Sequence, residues 1–203
     1  VEKRDLKKEL KEFYRASAKA PVLVRVPAFN YLCLEGRGDP KTSPAFTAGV
    51  EALYALSYTL KFMIKKGPEQ VDYGVMPLEG QWWAEEMESF RALSRDKWLW
   101  RIGIIQPELV TPDHLDRARE ELKRKKNPVA LREVRLQVQE DGPAAQILHL
   151  GPFDQEGPTI DRLHAFIRNQ GKELTGLHRE IYLSDPRRTA PEKLKTIIRQ
   201  PCA

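Results

Sequence analysis

The 203-residue chain carries 34 Lys and Arg against 29 Asp and Glu, a formal net charge of +5, with 41% hydrophobic and 31% charged residues. That balance supports a globular fold with its own core and excludes disordered, collagenous and low-complexity chains. No apolar stretch approaches the roughly 20 residues of a membrane-spanning helix, and the charged opening VEKRDLKKELKEFYR lacks a secretory signal pattern, so a cytoplasmic location is the default expectation.

Residues 1–18 place Leu6, Leu10, Phe13 and Tyr14 among lysines and glutamates at helical spacing, which predicts a peripheral helical arm. Residues 22–36 read as one strand ending at Gly36 and Gly38. Ser43 and Pro44 then open a long amphipathic helix through Val50, Leu53, Leu56, Leu60 and Ile64 that Gly67 and Pro68 stop. A strand over 71–77, a tight turn at Leu78, Glu79 and Gly80, and a strand over 98–105 follow. Thr111 and Pro112 begin a second helix, about 111–127, with a basic C-terminal end. Strand signals at Val134, Leu136 and Val138 and at residues 147–150, separated by Asp141 and Gly142, predict a hairpin. A third helix carries Ile160, Leu163, Phe166 and Ile167 and ends at Gly171, before a strand over 180–183. The segment 189–199 suits either a short helix or a closing strand.

The halves repeat one order. YLCLEGRGDP, a helix and DYGVMPLEG in the first match AQILHLGPFD, a helix and HREIYLSDP in the second, and the last segments align without a gap. The repeat predicts an α+β fold: two pseudo-symmetric strand-helix-strand-strand units forming an antiparallel sheet, helices on one side, and a central ligand groove. The repeat halves are about 19–107 and 128–203, joined by the helix about 111–127.

Several chemistries lack their signatures. Cys33 and Cys202 have no ligand-type spacing, and His114, His164 and His178 belong to no metal motif, so neither a disulfide nor a metal is expected. GRGDP is too short for a phosphate loop, no serine lies in GxSxG, and no cofactor is expected. The basic runs fall at helix and strand ends, which does not support nucleic-acid binding by this chain alone.

The string HREIYLSDPRRTAPEKLKTIIRQP resembles the C-terminal signature of the gyrase-inhibitor-like (GyrI-like) small-molecule-binding family. LCLEGRGDP with SPAF, EALYALSYTLKF, DYGVMPLEGQWW and the QP and VT pairs at Gln106, Pro107, Val110 and Thr111 resemble its stand-alone branch. The resemblance implies a single domain over 19–203 around a groove for hydrophobic, often cationic aromatic ligands. It also implies kinship with bacterial hydrolases that open the strained cyclopropane of DNA-alkylating natural products, a detoxification. Interaction with DNA gyrase is the family's third, weaker implication.

Glu180 matches the family's deep glutamate in the E-I-Y strand. Desolvation there is expected to raise its pKa, leaving a base for water or a counter-ion for a cation, whereas an outward-facing Glu180 would pair with a surface cation. Tyr182, two residues on, shares its strand face and can donate to a developing oxyanion, as can Tyr73; packing is the alternative for both. All four tryptophans lie between positions 82 and 100. Trp83, Trp100 and Trp98 are candidate stacking platforms, with Met76 nearby in sequence, while core packing explains any one of them equally. Tyr54 and Tyr58 on the first long helix are candidate groove-wall residues, and His149 is either a proton shuttle or a core histidine. Three functions stand side by side: a hydrolase adding water to a cyclopropane-fused dienone, a non-catalytic drug-binding sensor or sequestering protein, and a gyrase-interacting protein.

Overall fold

Pro27 ends the first strand early, because proline supplies no ladder hydrogen bond. The computed structural model, which describes residues 1–85 and 95–203, therefore breaks the expected 22–36 strand into β2 (Val22–Val26) and β3 (Phe29–Arg37). The break matters because the two strands belong to different compact units. The first unit is Val1–Glu9, Phe29–Met76 and Trp82–Gln139; the second is Leu10–Ala28, Pro77–Gln81 and Glu140–Ala203. The fold is α+β, and all ten strands of the described residues are sheet members.

In the first unit β3 pairs antiparallel with β6 (Leu99–Gln106) on one side and β7 (Arg135–Gln139) on the other. A separate parallel pair joins β1 (Glu2–Arg4) to β4 (Val71–Tyr73). After β1 come two short helices, α1 (Leu6–Glu9) and, in the second unit, α2 (Lys11–Tyr14). The first long helix is α3 (Pro44–Lys66). Ser43 caps it by accepting from the Phe46 amide at 3.3 Å, Pro44 fills the first turn, and Leu53, Leu56, Leu60 and Ile64 are fully buried. Helix α4 (Pro112–Lys125) begins at a capping box in which the Thr111 hydroxyl and the His114 ring reciprocally satisfy backbone amides.

In the second unit the strand order is β2, β8 (Gly142–Leu150), β10 (Lys195–Pro201), β9 (His178–Tyr182). Helix α5 (Gly157–Asn169) lays Leu163 and Ile167 on Ala145, Ile147, Ile198 and Cys202. Burying each such side chain contributes about 1.5–3 kcal/mol, which holds the helix on that face.

Four expectations change. The arm is a strand and two helical turns, and it is not peripheral: Leu6, Phe13 and Tyr14 are buried. β7 and β8 form no hairpin; β7 pairs with β3, and β8 pairs with β2 and β10. Residues 78–80 are no turn but open strand β5 (Leu78–Trp83), whose Glu79 is buried, while the strand read over 71–77 stops at Tyr73. The gapless alignment of the repeats consequently opposes β9 to β4 and the segment after it. The segment 189–199 resolves into a one-turn helix at Pro191–Lys193 and strand β10.

Candidate functional site

Register decides which side chains of β9 meet. Glu180 lies opposite Ile198, which lies opposite Ile147; Tyr182 lies opposite Thr196, which lies opposite His149. Because strand side chains alternate, these two rows share one face. Ile147 and Ile198 pack beneath α5, so Glu180 and Tyr182 point to the helix-covered face of the second unit.

The Glu180 carboxylate accepts from His178 Nε2 at 2.9 Å and from the Tyr182 hydroxyl at 2.8 Å. The His178 nitrogen is the donor because an ionised carboxylate only accepts. The edge of the Phe153 ring meets Tyr182, with centroids 5.5 Å apart. A second carboxyl, Glu156, stands at the N-cap of α5 within hydrogen-bonding reach of Glu180 and is only 5% exposed. Two adjacent buried carboxyls cannot both ionise cheaply, so the pair separates its roles. Burial, then the negative charge of Glu180, pushes the Glu156 carboxyl up to about 10. Burial also opposes ionisation of Glu180, but the hydrogen bond and charge of His178, with the donors Tyr182 and Glu156, outweigh it and hold Glu180 below the ordinary carboxylate range. The expected upward shift of Glu180 is thus reversed, and the raised carboxyl is its neighbour. The two opposite directions favour keeping a single proton on the pair, on the Glu156 side.

His149 is buried on the same face, with Nδ1 against Thr159 Oγ1 at 2.9 Å and Nε2 against the Pro152 carbonyl at 3.1 Å. These bonds hold the loop that delivers Glu156 to the sheet. The opposite face of the same strands is a different environment. There Arg179 donates to Asp141 at 2.8 and 3.0 Å and to Glu79 at 3.0 Å, and Tyr14 donates to Glu79. Arg199 donates to Gln146 at 3.0 Å and to the Phe13 carbonyl at 2.7 Å.

The remaining predicted residues lie in the first unit. Trp100 is 1% exposed; the Phe46 ring meets it edge-on at 5.2 Å, and its indole covers Gly36, the residue opposite it in the β3–β6 ladder. Trp98 and Trp82 stack edge-to-face at 5.9 Å, with the Arg95 guanidinium 5.4 Å over Trp98. Trp83 is half-buried, Met76 is buried, Tyr54 is half-buried, and Tyr58 is exposed on α3. The Tyr73 hydroxyl is buried without a hydrogen-bond partner among the described residues, and burial pushes its phenol above the ordinary range. A cleft of about 890 Å³ along α4 in the first unit is lined by Arg117, Arg124 and Arg132 among others and contains none of these candidates.

Residues 19–202 match the GyrI-like small molecule binding domain. The chain belongs to that family. Its structure is similar to an uncharacterized conserved protein from Listeria innocua, with 39% identity, a TM-score of 0.90, and 98% of this chain and 99% of that one covered. It is similar also to a hydrolase encoded by lin2189 from Listeria innocua, at 38% identity and a TM-score of 0.90, with 100% of each chain covered. The EcmrR C-terminal domain, at 14% identity and a TM-score of 0.54 over 90% of this chain and 96% of that one, shares the fold. No curated protein matches.

Sequence reasoning on this GyrI-like chain missed Glu156. The signal was positional: Pro158 opens α5, which puts Glu156 at its N-cap beside the end of β8. Tyr14 was missed as well; it precedes the family match, yet its hydroxyl reaches the buried Glu79. No described helix is long and apolar enough to cross a membrane.

Proposed function

We propose that this GyrI-like protein is a small-molecule hydrolase that adds water to a planar electrophile, a cyclopropane fused to a dienone being the type substrate, and so detoxifies alkylating agents. The observation that supports it is the buried, ionised Glu180 held by His178 and Tyr182 beside a protonated carboxyl. The likeness to the Listeria hydrolase adds weight. Glu180 orients water and accepts its proton as the oxygen bonds to the strained carbon. The breaking carbon–carbon bond sends its electron pair to the dienone carbonyl oxygen, which takes a proton as the ring becomes a phenol. Ring strain and aromatisation drive the step, so positioning and one base suffice. Tyr182 and His149 are proposed as ligand-side residues of the second unit, and Tyr73, Trp83, Trp98, Trp100, Met76, Tyr54 and Tyr58 as candidates within the first unit.

A second reading is favoured by the donors on Glu180. A carboxylate held below its ordinary range is a weak base and a good counter-ion, which suits a drug-binding sensor or sequestering protein. Incubation with a cyclopropane-fused dienone, followed by mass detection of the ring-opened phenol, separates the two. Hydrolysis falling about 100-fold or more in Glu180→Gln supports the enzyme. Binding without product in the wild type overturns it and leaves the binding module. Gyrase interaction has no support in the site.

A further inference from the structure

Helix α4 and the segment after it turn their apolar side chains toward one neighbour and their cations into one cleft. Leu115, Ala118 and Leu122 are buried where α4 packs on α3, and Ala130 and Leu131 are buried in the one-turn helix at Val129–Arg132, which also packs on α3. With those faces committed, Arg117 and Arg124 line the cleft of about 890 Å³ together with Arg132, with Arg135 at the start of β7, and with Met63 of α3. Three carboxylates line it too, and each already holds a cation of its own helix: Asp116 holds Arg119 at 2.9 Å, Glu120 holds Lys123 and Glu121 holds Lys125, both at 2.5 Å. Among the described residues no ion pair reaches Arg117, Arg124, Arg132 or Arg135; Glu69 and Glu120 act on Arg117 and Arg124 through their fields, without a bond. The helix dipole accounts for Lys123, Arg124 and Lys125 in the last turn, but not for Arg117 in the second turn or for Arg132 and Arg135 beyond the helix. A solvated basic face spreads its charges apart, whereas these four guanidinium groups come from three elements to line one concavity, where an anion relieves their repulsion. Donation from Arg135 to the carbonyls of Arg132 and Val134, and from Arg119 to the Val134 carbonyl, steadies that wall.

We propose that this cleft is a receptor for a linear oligophosphate, a chain of three or more linked phosphates, inorganic or carried on a nucleoside. The planar guanidinium fork matches phosphate oxygens two at a time and keeps its charge at every pH the protein meets. Arg117 and Arg124 stand seven positions apart on one side of α4, about 10.5 Å along its axis, a span that a row of charges meets better than a single phosphate. A nucleic-acid duplex fits less well: its convex surface meets protruding cations, and its backbone would lie against Glu120 and Glu121 as well as the arginines. Binding is non-covalent and breaks no bond. The cleft lies in the first unit and uses neither Glu180 nor its neighbours, so the proposal is independent of the hydrolase reading.

Titration calorimetry of the full chain with sodium tripolyphosphate, adenosine triphosphate and orthophosphate, at equal low ionic strength and without divalent metal, tests it. Tripolyphosphate is expected to bind about tenfold or more tightly than orthophosphate and to lose affinity steadily as sodium chloride is added. Arg117→Gln and Arg132→Gln should each weaken it about threefold or more, and the double variant about tenfold or more. Lys41→Gln removes the same charge outside the cleft and should leave the affinity within about twofold. All three positions are exposed, so the variants should fold as the wild type does. An affinity for adenosine triphosphate equal to or below that for tripolyphosphate assigns the cleft to the phosphate chain itself; a higher one assigns it to a nucleotide. Orthophosphate binding as tightly as tripolyphosphate, equal losses in Lys41→Gln and Arg132→Gln, or absence of binding at low salt would each overturn the proposal. A short DNA duplex that displaces tripolyphosphate at a lower concentration of phosphate groups would overturn it too, in favour of a nucleic-acid surface.

Discussion

Replacing Glu156 by glutamine should make the protein more resistant to unfolding as the solution becomes alkaline, although it removes a buried polar group's native partner. The carboxyl has an ordinary value of 4.5 and stands at about 10 in the fold. Between those values the native state binds a proton that the unfolded chain has lost. Stability therefore falls as pH rises through that window, by about 1.4 kcal/mol per pH unit. Glutamine keeps the shape and the hydrogen-bonding capacity of the protonated acid and has no proton to lose. From about pH 6 to about pH 8 the variant should gain about 3 kcal/mol on the wild type. Glu180 does not imitate this trend, because its lowered value gives a slope of opposite sign confined to the acid side. Urea unfolding at several pH values, with both proteins sharing one denaturant slope, reads the difference directly. A stability difference that stays constant across the range would refute the one-proton pair.

The other face of the second unit predicts the opposite kind of effect. Arg179→Met removes the ion pairs of Glu79 and Asp141, both nearly fully buried, leaving Tyr14 on Glu79 and Arg199 3.5 Å from Asp141, and should cost about 3–5 kcal/mol; a denaturation midpoint unchanged from wild type would contradict the ion-pair assignment. Tyr14→Phe removes one hydrogen bond to the Glu79 carboxylate and should cost about 1.5–3 kcal/mol by the same assay, although residue 14 precedes the family match. Gly36→Ala drives a methyl into the Trp100 ring and should cost about 1–3 kcal/mol, with a shift in tryptophan fluorescence as the indole moves.

Local chemistry made part of this structure readable in advance. The caps at Ser43 and Thr111 and the apolar stripe of α3 act within one turn, so the sequence shows them without knowledge of the fold. Glu180 and Tyr182 share a face for the same reason, the two-residue period of a strand. Partner choice was not readable. Asp141 and Gly142 look like a hairpin turn, but the strands on either side of them pair with distant segments, because long-range ladders decide and the turn does not. Glu79 in Leu78-Glu79-Gly80 has the composition of a turn, yet Arg179, a hundred positions away, neutralises it inside a strand. Glu156 resembles a solvated acid until β9 and β10 are placed beside it. The upward shift assigned to Glu180 failed because the donors His178 and Tyr182 lie on the strand itself, close enough to overcome burial.

The shared proton is tested most directly by carboxyl-carbon NMR of protein labelled with 13C at the glutamate side chain. At neutral pH one glutamate signal should lie at the protonated position and vanish in Glu156→Gln. A spectrum in which every glutamate carboxyl is already ionised at neutral pH would contradict the site.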